Sequence, residues 1–285
     1  MIDSERLLNW PIGDVRQDYG PEDCALYALG IGFGSNPVSP RHLRFVCGED
    51  IEAFPLMAVV LGWGKPWLSD SSTGIDFAQV LHAEETVELH RALPAEGSVV
   101  ARSRVLEIAD KGAGRGAIIT TERALFFDGE HEPTATVVSR AYCRGEGGFG
   151  GSPGLPADIE PVPDRAPDHR VAAETLPQSA LLYRLSGDDN PLHVDPDVAR
   201  RAGFARPILH GLCSYGYALR AVVEALDFVA ADIGGTGVRF TAPVYPGETI
   251  ETSLWRADES HILFRARVVE RNLTVLDRGW VRLRR

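Results

Sequence analysis

Residues 211–226 read GLCSYGYALRAVVEAL. Leu212, Tyr215, Leu219, Val222, Val223 and Leu226 fall at helical spacing, the remaining faces carry mostly Ala, Gly and Cys, and Arg220 and Glu224 are the only charges. A helix this apolar on every side is largely buried rather than laid on a surface. Its sixteen residues, at about 1.5 Å each, span roughly 24 Å, the length of a long strand beside it. Four alternating segments follow: GVRFTAPV, TIETSLWRA, HILFRARVVE and VLDRGWVRLRR. Their two-residue period predicts antiparallel strands, so the second half reads as a sheet wrapped around a central helix.

The first half repeats this order. FAQVLHAEETVELHRAL, SVVARSRVLEI, GAIITTERALFF and ATVVSRAYCR are alternating segments. The turn Leu93-Pro94-Ala95-Glu96-Gly97 recurs as Val244-Tyr245-Pro246-Gly247-Glu248, each followed by a strand. Between the halves, residues 145–168 (GEGGFGGSPGLPADIEPVPDRAPD) hold six glycines and five prolines, which marks a crossover. The expected organisation is a duplicated α+β protein, with an N-terminal domain over residues 1–150, a linker over 151–168 and a C-terminal domain over 169–285.

Composition narrows the function. The chain has 285 residues, 44% hydrophobic and 24% charged, enough apolar side chains for a full core. A formal net charge of -11 argues against nucleic acid or an anionic membrane as partner, and means that an anionic ligand would need local basic residues. No apolar run is long enough to span a bilayer, and the start MIDSERLLNWPIGDVRQ lacks a basic n-region followed by an apolar core. Cys24, Cys47, Cys143 and Cys213 are far apart with no CxxC pair, so neither a zinc site nor a disulfide framework is expected. Only Lys65 and Lys111 are lysines among the 29 basic residues, a skew attributed to a GC-rich bacterial genome. These features together imply a cytoplasmic protein with reduced thiols.

The chemistry concentrates in residues 183–211, YRLSGDDNPLHVDPDVARRAGFARPILHG. Ser186 to Pro191 form a turn-rich loop, and Pro191 disfavours helix at Asn190. Asp195, Pro196 and Gly203 read as the N-cap, first residue and stop of a short helix. Asp188 and His193 therefore sit five residues apart on a bent loop, where a carboxylate and an imidazole can converge on one water. Such a pair can add water to an activated double bond. Singly, each residue has an ordinary reading: Asp188 as a turn cap, Asn190 as a turn residue before proline, His193 as a hydrogen-bonded core histidine.

Ser186-Gly187-Asp188-Asp189-Asn190-Pro191-Leu192-His193, taken with Pro207-Ile208-Leu209-His210-Gly211, resembles the signature of type 2 enoyl-CoA hydratases, the MaoC-like (R)-specific hydratases of hot-dog fold. YALGIGFG, LRFVCGED, FPLMAVVLGWG, IDFAQVLHAEETVELHRALPAEG, ADKGAGRGA and GEGGFGG look like the N-terminal half of two-hot-dog hydratases, so nearly the whole chain is covered. The resemblance implies a double hot-dog fold and reversible hydration of trans-2-enoyl-CoA to (3R)-3-hydroxyacyl-CoA. It implies Asp188 and His193 as the catalytic pair, Asn190 as their support, and Gly211 as the glycine whose backbone N–H points into the site. Gly211 also opens the apolar helix, where free N–H groups would stabilise a developing oxyanion.

The resemblance further implies thioester contacts from His82, Ala83 and Lys111 in the first half and Phe240 in the second, with Ala83 replacing the family's usual glycine. It implies no metal or other cofactor, CoA being part of the substrate, and a homodimer. The first half lacks an Asp-x-Asn-Pro-x-His, so one half is expected to catalyse and the other to shape the acyl pocket, with FPLMAVVLGWGKPWL as its shortened central helix. The alternatives are a hydratase for a steroid side-chain enoyl-CoA, a non-catalytic acyl-CoA-binding subunit and a hot-dog thioesterase. The C-terminal VRLRR is not a peroxisomal address.

Overall fold

A computed structural model describes residues 2–154, 160–226 and 229–284. Its strands are β1 (Val15–Tyr19), β2 (Val80–Leu89), β3 (Gly97–Asp110), β4 (Ala117–Phe127), β5 (Ala135–Cys143), β6 (His169–Glu174), β7 (Ile233–Phe240), β8 (Thr249–Arg256), β9 (His261–Val268) and β10 (Leu273–Leu283). They form one ten-stranded sheet in the order β1-β3-β4-β5-β2-β7-β10-β9-β8-β6, and every pairing is antiparallel. The second five strands repeat the arrangement of the first five. The halves meet where β2 pairs with β7, from Glu84↔Arg239 to Glu88↔Gly235.

The eight long strands fall on the eight alternating segments. β1 and β6 were not legible: VRQDY and HRVAAE are short and mostly polar, and they occupy the two edges of the sheet, where one flank stays wet. β7 begins at Ile233, before the glycines at 234, 235 and 237. Glycine is depleted in strands by propensity, but a Cβ at Gly237 would lie 2.5 Å from the Trp280 Nε1 of β10, so the cross-strand indole requires it.

The helix Gly211–Leu226 has the predicted bounds, and Leu212 through Val223 are buried. Leu212, Tyr215, Leu219 and Val222 pack in the same core as Ile250, Leu254, Phe264, Ala266 and Val281 of the surrounding sheet. The Tyr215 hydroxyl lies 2.7 Å from Thr236 Oγ1, which donates to the Trp280 carbonyl at 2.9 Å. One buried chain thus ties the helix to β7 and β10.

The first half departs from this plan at its centre. Where the second half has sixteen helical residues, the first has one short 3-10 helix, Pro55–Val59, fully buried. Pro55 starts it, and the turn at Gly62 (φ +61°), Gly64 and Pro66 prevent its extension. Two further helices, Pro21–Gly30 and Ser179–Tyr183, occupy equivalent places in the two halves, and their Tyr27 and Tyr183 rings meet with centroids 5.9 Å apart.

Of the glycine-rich crossover, residues 145–154 pack onto the β3–β4 hairpin. The Asp110 carboxylate accepts from the backbone N–H groups of Gly112, Gly148 and Gly150 at 2.7–2.8 Å, and the Asp110 N–H donates to Ser152. These glycines serve a carboxylate clamp of the hairpin, not a phosphate-cradling loop. Part of the expected linker, residues 155–159, lies outside the described residues. All four cysteines are free, and among the described residues no helix is long and apolar enough to cross a membrane.

Replacing Tyr215 by Phe removes one buried hydrogen bond without changing shape. We expect a loss of about 1 kcal/mol in unfolding free energy, read from the denaturant midpoint; an unchanged midpoint would show that the hydroxyl pair contributes nothing.

Candidate active site

The second-half loop is built by local bonds that the sequence dictates. The Asn190 side-chain oxygen accepts from the Leu192 N–H at 3.0 Å and so caps the 3-10 turn Pro191–His193. The Asn190 N–H donates to Asp188 Oδ1 at 3.2 Å. One asparagine therefore orients both the carboxylate and the turn that carries the imidazole. Asp195 then caps the helix Pro196–Arg201, as its sequence pattern predicts.

His193 Nδ1 lies 2.9 Å from the Ile208 carbonyl. A carbonyl only accepts, so Nδ1 carries the hydrogen and, in the neutral ring, Nε2 holds a lone pair. Burial lowers the His193 pKa below 6.5, against the raising effects of the Asp188 charge and the Ile208 bond. His210 stacks on His193 with centroids 3.7 Å apart and 28° between planes, and its Nε2 donates to the Asp188 carbonyl at 3.1 Å. Burial, and next the neighbouring His193, push its pKa down to about 2. His210 is a strut: it fixes the backbone of Asp188 and the ring plane of His193. Its place in Leu209-His210-Gly211, next to the helix-opening glycine, is the signal that the sequence carries for it.

Donor atoms of Asp188, His193 and His210 lie within 4.8 Å of one another, close enough to raise the question of a metal ion. An imidazole binds a metal in its ring plane at about 2 Å. Two stacked rings point their lone pairs along near-parallel planes, so both cannot meet one ion, and the donor set does not fit a metal.

Asp188, Asn190, His193, Gly211, His82 and Phe240 all line a single cavity of about 690 Å³ between the halves, within the usual range for a small-molecule site. Gly211 opens the central helix, whose dipole places a positive end there. A Cβ on Gly211 would lie 3.1 Å from the Phe240 ring, so the absent side chain lets Phe240 and a ligand approach the backbone. His82 packs on the other side of Phe240, centroids 4.7 Å apart, and its Nε2 meets the buried Glu85 Oε2 at 2.8 Å. Ala83 is the extra residue of a β-bulge: His82 pairs with Ala141 and Glu84 with Arg140, leaving Ala83 unmatched. The bulge re-aims the strand beside the cavity. Lys111 is not brought to the cavity; it sits in the β3–β4 hairpin and donates to the Pro153 carbonyl at 2.8 Å. The basic residues around the cavity are instead Lys65, Arg123, Arg140 and Arg144, none of which sequence patterning singled out.

The first half keeps the loop without its chemistry. Asn36-Pro37 matches Asn190-Pro191: Asn36 Oδ1 accepts from Val38, and Ser39 N–H donates to the Asn36 carbonyl, as Leu192 and His193 do in the second half. Gly34 stands in place of Asp188 and Ser39 in place of His193. The first half therefore has no carboxylate–imidazole pair at this turn.

A sheet of two equivalent halves around one long helix and one truncated helix, with the site at the long helix's N-terminus, defines a double hot-dog protein. Residues 18–145 match the MFE-2 hydratase 2 N-terminal domain and residues 158–278 the MaoC like domain. Enoyl-CoA hydratase ChsH3 of Mycobacterium tuberculosis is 42% identical over 261 residues, covering 90% of each chain. The crystal structure of a MaoC-like dehydratase from Phytophthora capsici superposes with a TM-score of 0.84 at 34% identity and 98% coverage of both chains. A double-hotdog protein of Mycobacterium tuberculosis, 15% identical with a TM-score of 0.57 over 97% of both chains, shares the fold alone. The chain belongs to the MaoC-like dehydratase family, in the branch that carries a hydratase 2 N-terminal domain.

An unfolded histidine binds a proton as pH falls through 6.5, whereas His210 stays neutral in the folded chain, so stability is lost toward acid, and the lowered pKa of His193 acts in the same direction. Where the unfolded side chain is protonated and the folded one is not, His210 contributes a slope of about 1.4 kcal/mol per pH unit. His210→Gln should flatten the fall in urea-unfolding free energy from pH 6.5 down to about 5 by that amount. Parallel slopes would show that His210 is charged when folded.

Proposed function

We propose that this chain hydrates trans-2-enoyl-CoA thioesters to (3R)-3-hydroxyacyl-CoA and runs the reverse dehydration on the same groups. The observation that carries the reading is the His193 Nδ1 bond to the Ile208 carbonyl, which leaves Nε2 unprotonated beside Asp188 at the mouth of a helix N-terminus. The thioester carbonyl makes C3 electrophilic. A water held between Asp188 and His193 gives up one proton to the pair as its oxygen bonds to C3. The π electrons move toward C2 and the carbonyl, building negative charge on the thioester oxygen, which the Gly211 N–H and the helix dipole stabilise. The pair then returns a proton to C2, so one water is added and nothing is oxidised or reduced. In this reading no metal or redox cofactor takes part.

The family's hydratase and dehydratase names, and an acidic protein that gathers Lys65, Arg140 and Arg144 around its cavity, support a CoA thioester as ligand. The cavity volume suits long or bulky acyl groups, a steroid side chain among them. A homodimer remains part of the proposal; because β2–β7 pairing already joins the two halves within one chain, a second copy would use another face.

Product analysis tests the reading. Incubation with trans-2-enoyl-CoA should give the (3R)-hydroxyacyl-CoA without free thiol; the (3S) product, or release of CoA thiol, would overturn it. Since the base must be unprotonated and burial lowers the His193 pKa, kcat/KM should hold flat as pH falls to 6.5, its acid limb lying below.

A further inference from the structure

We propose that the acyl end of the cavity recognises an oxygen function on the substrate's tail, so that the favoured substrates are enoyl-CoA thioesters whose acyl group carries a carboxylate, carbonyl or hydroxyl beyond the reacting double bond. The proposal deepens the hydratase reading and rests on it.

The argument starts from the truncated first-half helix. In the second half, the inner face of the sheet is covered by the central helix and is mostly apolar, with Ile250, Leu254, Phe264, Ala266, Val275 and Val281 buried and Thr236 and Thr252 the buried polar residues among them. In the first half, Val99, Ala101, Leu125 and Val137 are likewise buried around the short 3-10 helix. Where that helix stops, the wall changes character. Ser103, Thr121, Arg123 and Ser139 line the cavity from three adjacent strands, with Ser103 paired directly to Arg123 and Thr121 to Ser139. An acyl pocket meant only for a hydrocarbon chain would have no use for four polar side chains there, since each stays desolvated when apolar carbon fills the space.

Arg123 is half-buried on the cavity wall, and burial lowers its pKa, with the Glu85 charge opposing. Its Nη2 donates to the Val59 carbonyl at 2.5 Å, and its plane lies over the Trp63 ring at 5.1 Å. Its Nε is itself buried and without a hydrogen-bond partner, so a contact to a ligand would come from the outer guanidinium nitrogens. Glu85, the carboxylate that would balance it, is engaged by His82. The hydroxyls of Ser103, Thr121 and Ser139 make no side-chain hydrogen bond to any described residue. A guanidinium and three hydroxyls without side-chain partners on one cavity wall can donate to oxygen on a ligand, and Arg favours carboxylate most through charge-assisted bonds. The reacting carbons would lie at Asp188 and His193 on the second-half loop, and these four residues line the first-half wall of the same cavity, so in this proposal the acyl group runs from one to the other.

The test compares kcat/KM for trans-2-enoyl-CoA thioesters in matched sets at several chain lengths, ending in methyl, hydroxyl, ketone or carboxylate. The wild type should prefer at least one oxygenated tail over the methyl tail of equal length by tenfold or more. Arg123→Met should lower that ratio at least tenfold, chiefly through KM. Because Arg123 also holds Val59, Thr121→Val combined with Ser139→Val provides a second test that leaves this contact in place, and it too should lower the ratio. Methyl-ended substrates equal to or better than every oxygenated one in the wild type, or a ratio unmoved in both variants, would overturn the proposal. Absence of hydration throughout the panel, crotonyl-CoA included, would overturn the hydratase reading itself and this proposal with it.

Discussion

The enclosure of the helix Gly211–Leu226 is the constraint from which the rest of the molecule follows. A helix without a polar face can be stable in water only if sheet covers it from nearly every side, and five antiparallel strands curl around it to do so. Burying the helix also buries its first turn, where backbone N–H groups lack partners within the helix. A buried, positively polarised helix end needs something negative against it. In the second half Asp188 and His193 line the cavity at this end, where the proposed reaction puts the thioester oxygen. Fold stability and chemistry thus draw on the same element, and Gly211 keeps its end open.

The two halves share strand order, the paired Tyr27 and Tyr183 helices and an Asn-Pro turn with the same backbone bonds. They diverge at two places that complement each other. The first half has replaced the carboxylate and imidazole by Gly34 and Ser39, and its central helix has shrunk to Pro55–Val59. Loss of the helix opens volume that one catalytic centre can use for the acyl group. A second centre would have needed a second long helix, and that helix would have filled the cavity.

Much of this was legible in the sequence, for identifiable reasons. The central helix and the eight long strands carry strong periodicity because each buries one face or all of it. The Asp188-to-His193 loop was legible because its turn residues fix the geometry locally. What stayed hidden depends on contacts between distant segments. β1 and β6 lie on the sheet's edges and bury little; the stacking of His210 on His193 joins two loops; the Asp110 clamp joins a hairpin to glycines almost forty residues on. Arg123 looks like any alternating polar residue of a strand until the short helix opposite it leaves it facing a cavity. Lys111, placed by resemblance near the thioester, is instead held by Pro153 in the hairpin.

The central claim is that Asp188 and the neutral His193 act together on one water. Its most direct test is kcat/KM for crotonyl-CoA hydration, followed as loss of the conjugated enoyl-thioester absorbance, in the wild type, Asp188→Ala and His193→Ala. The account predicts hydration by the wild type and a loss of at least about a hundredfold in each variant. Wild-type hydration that either variant retained in full would contradict it.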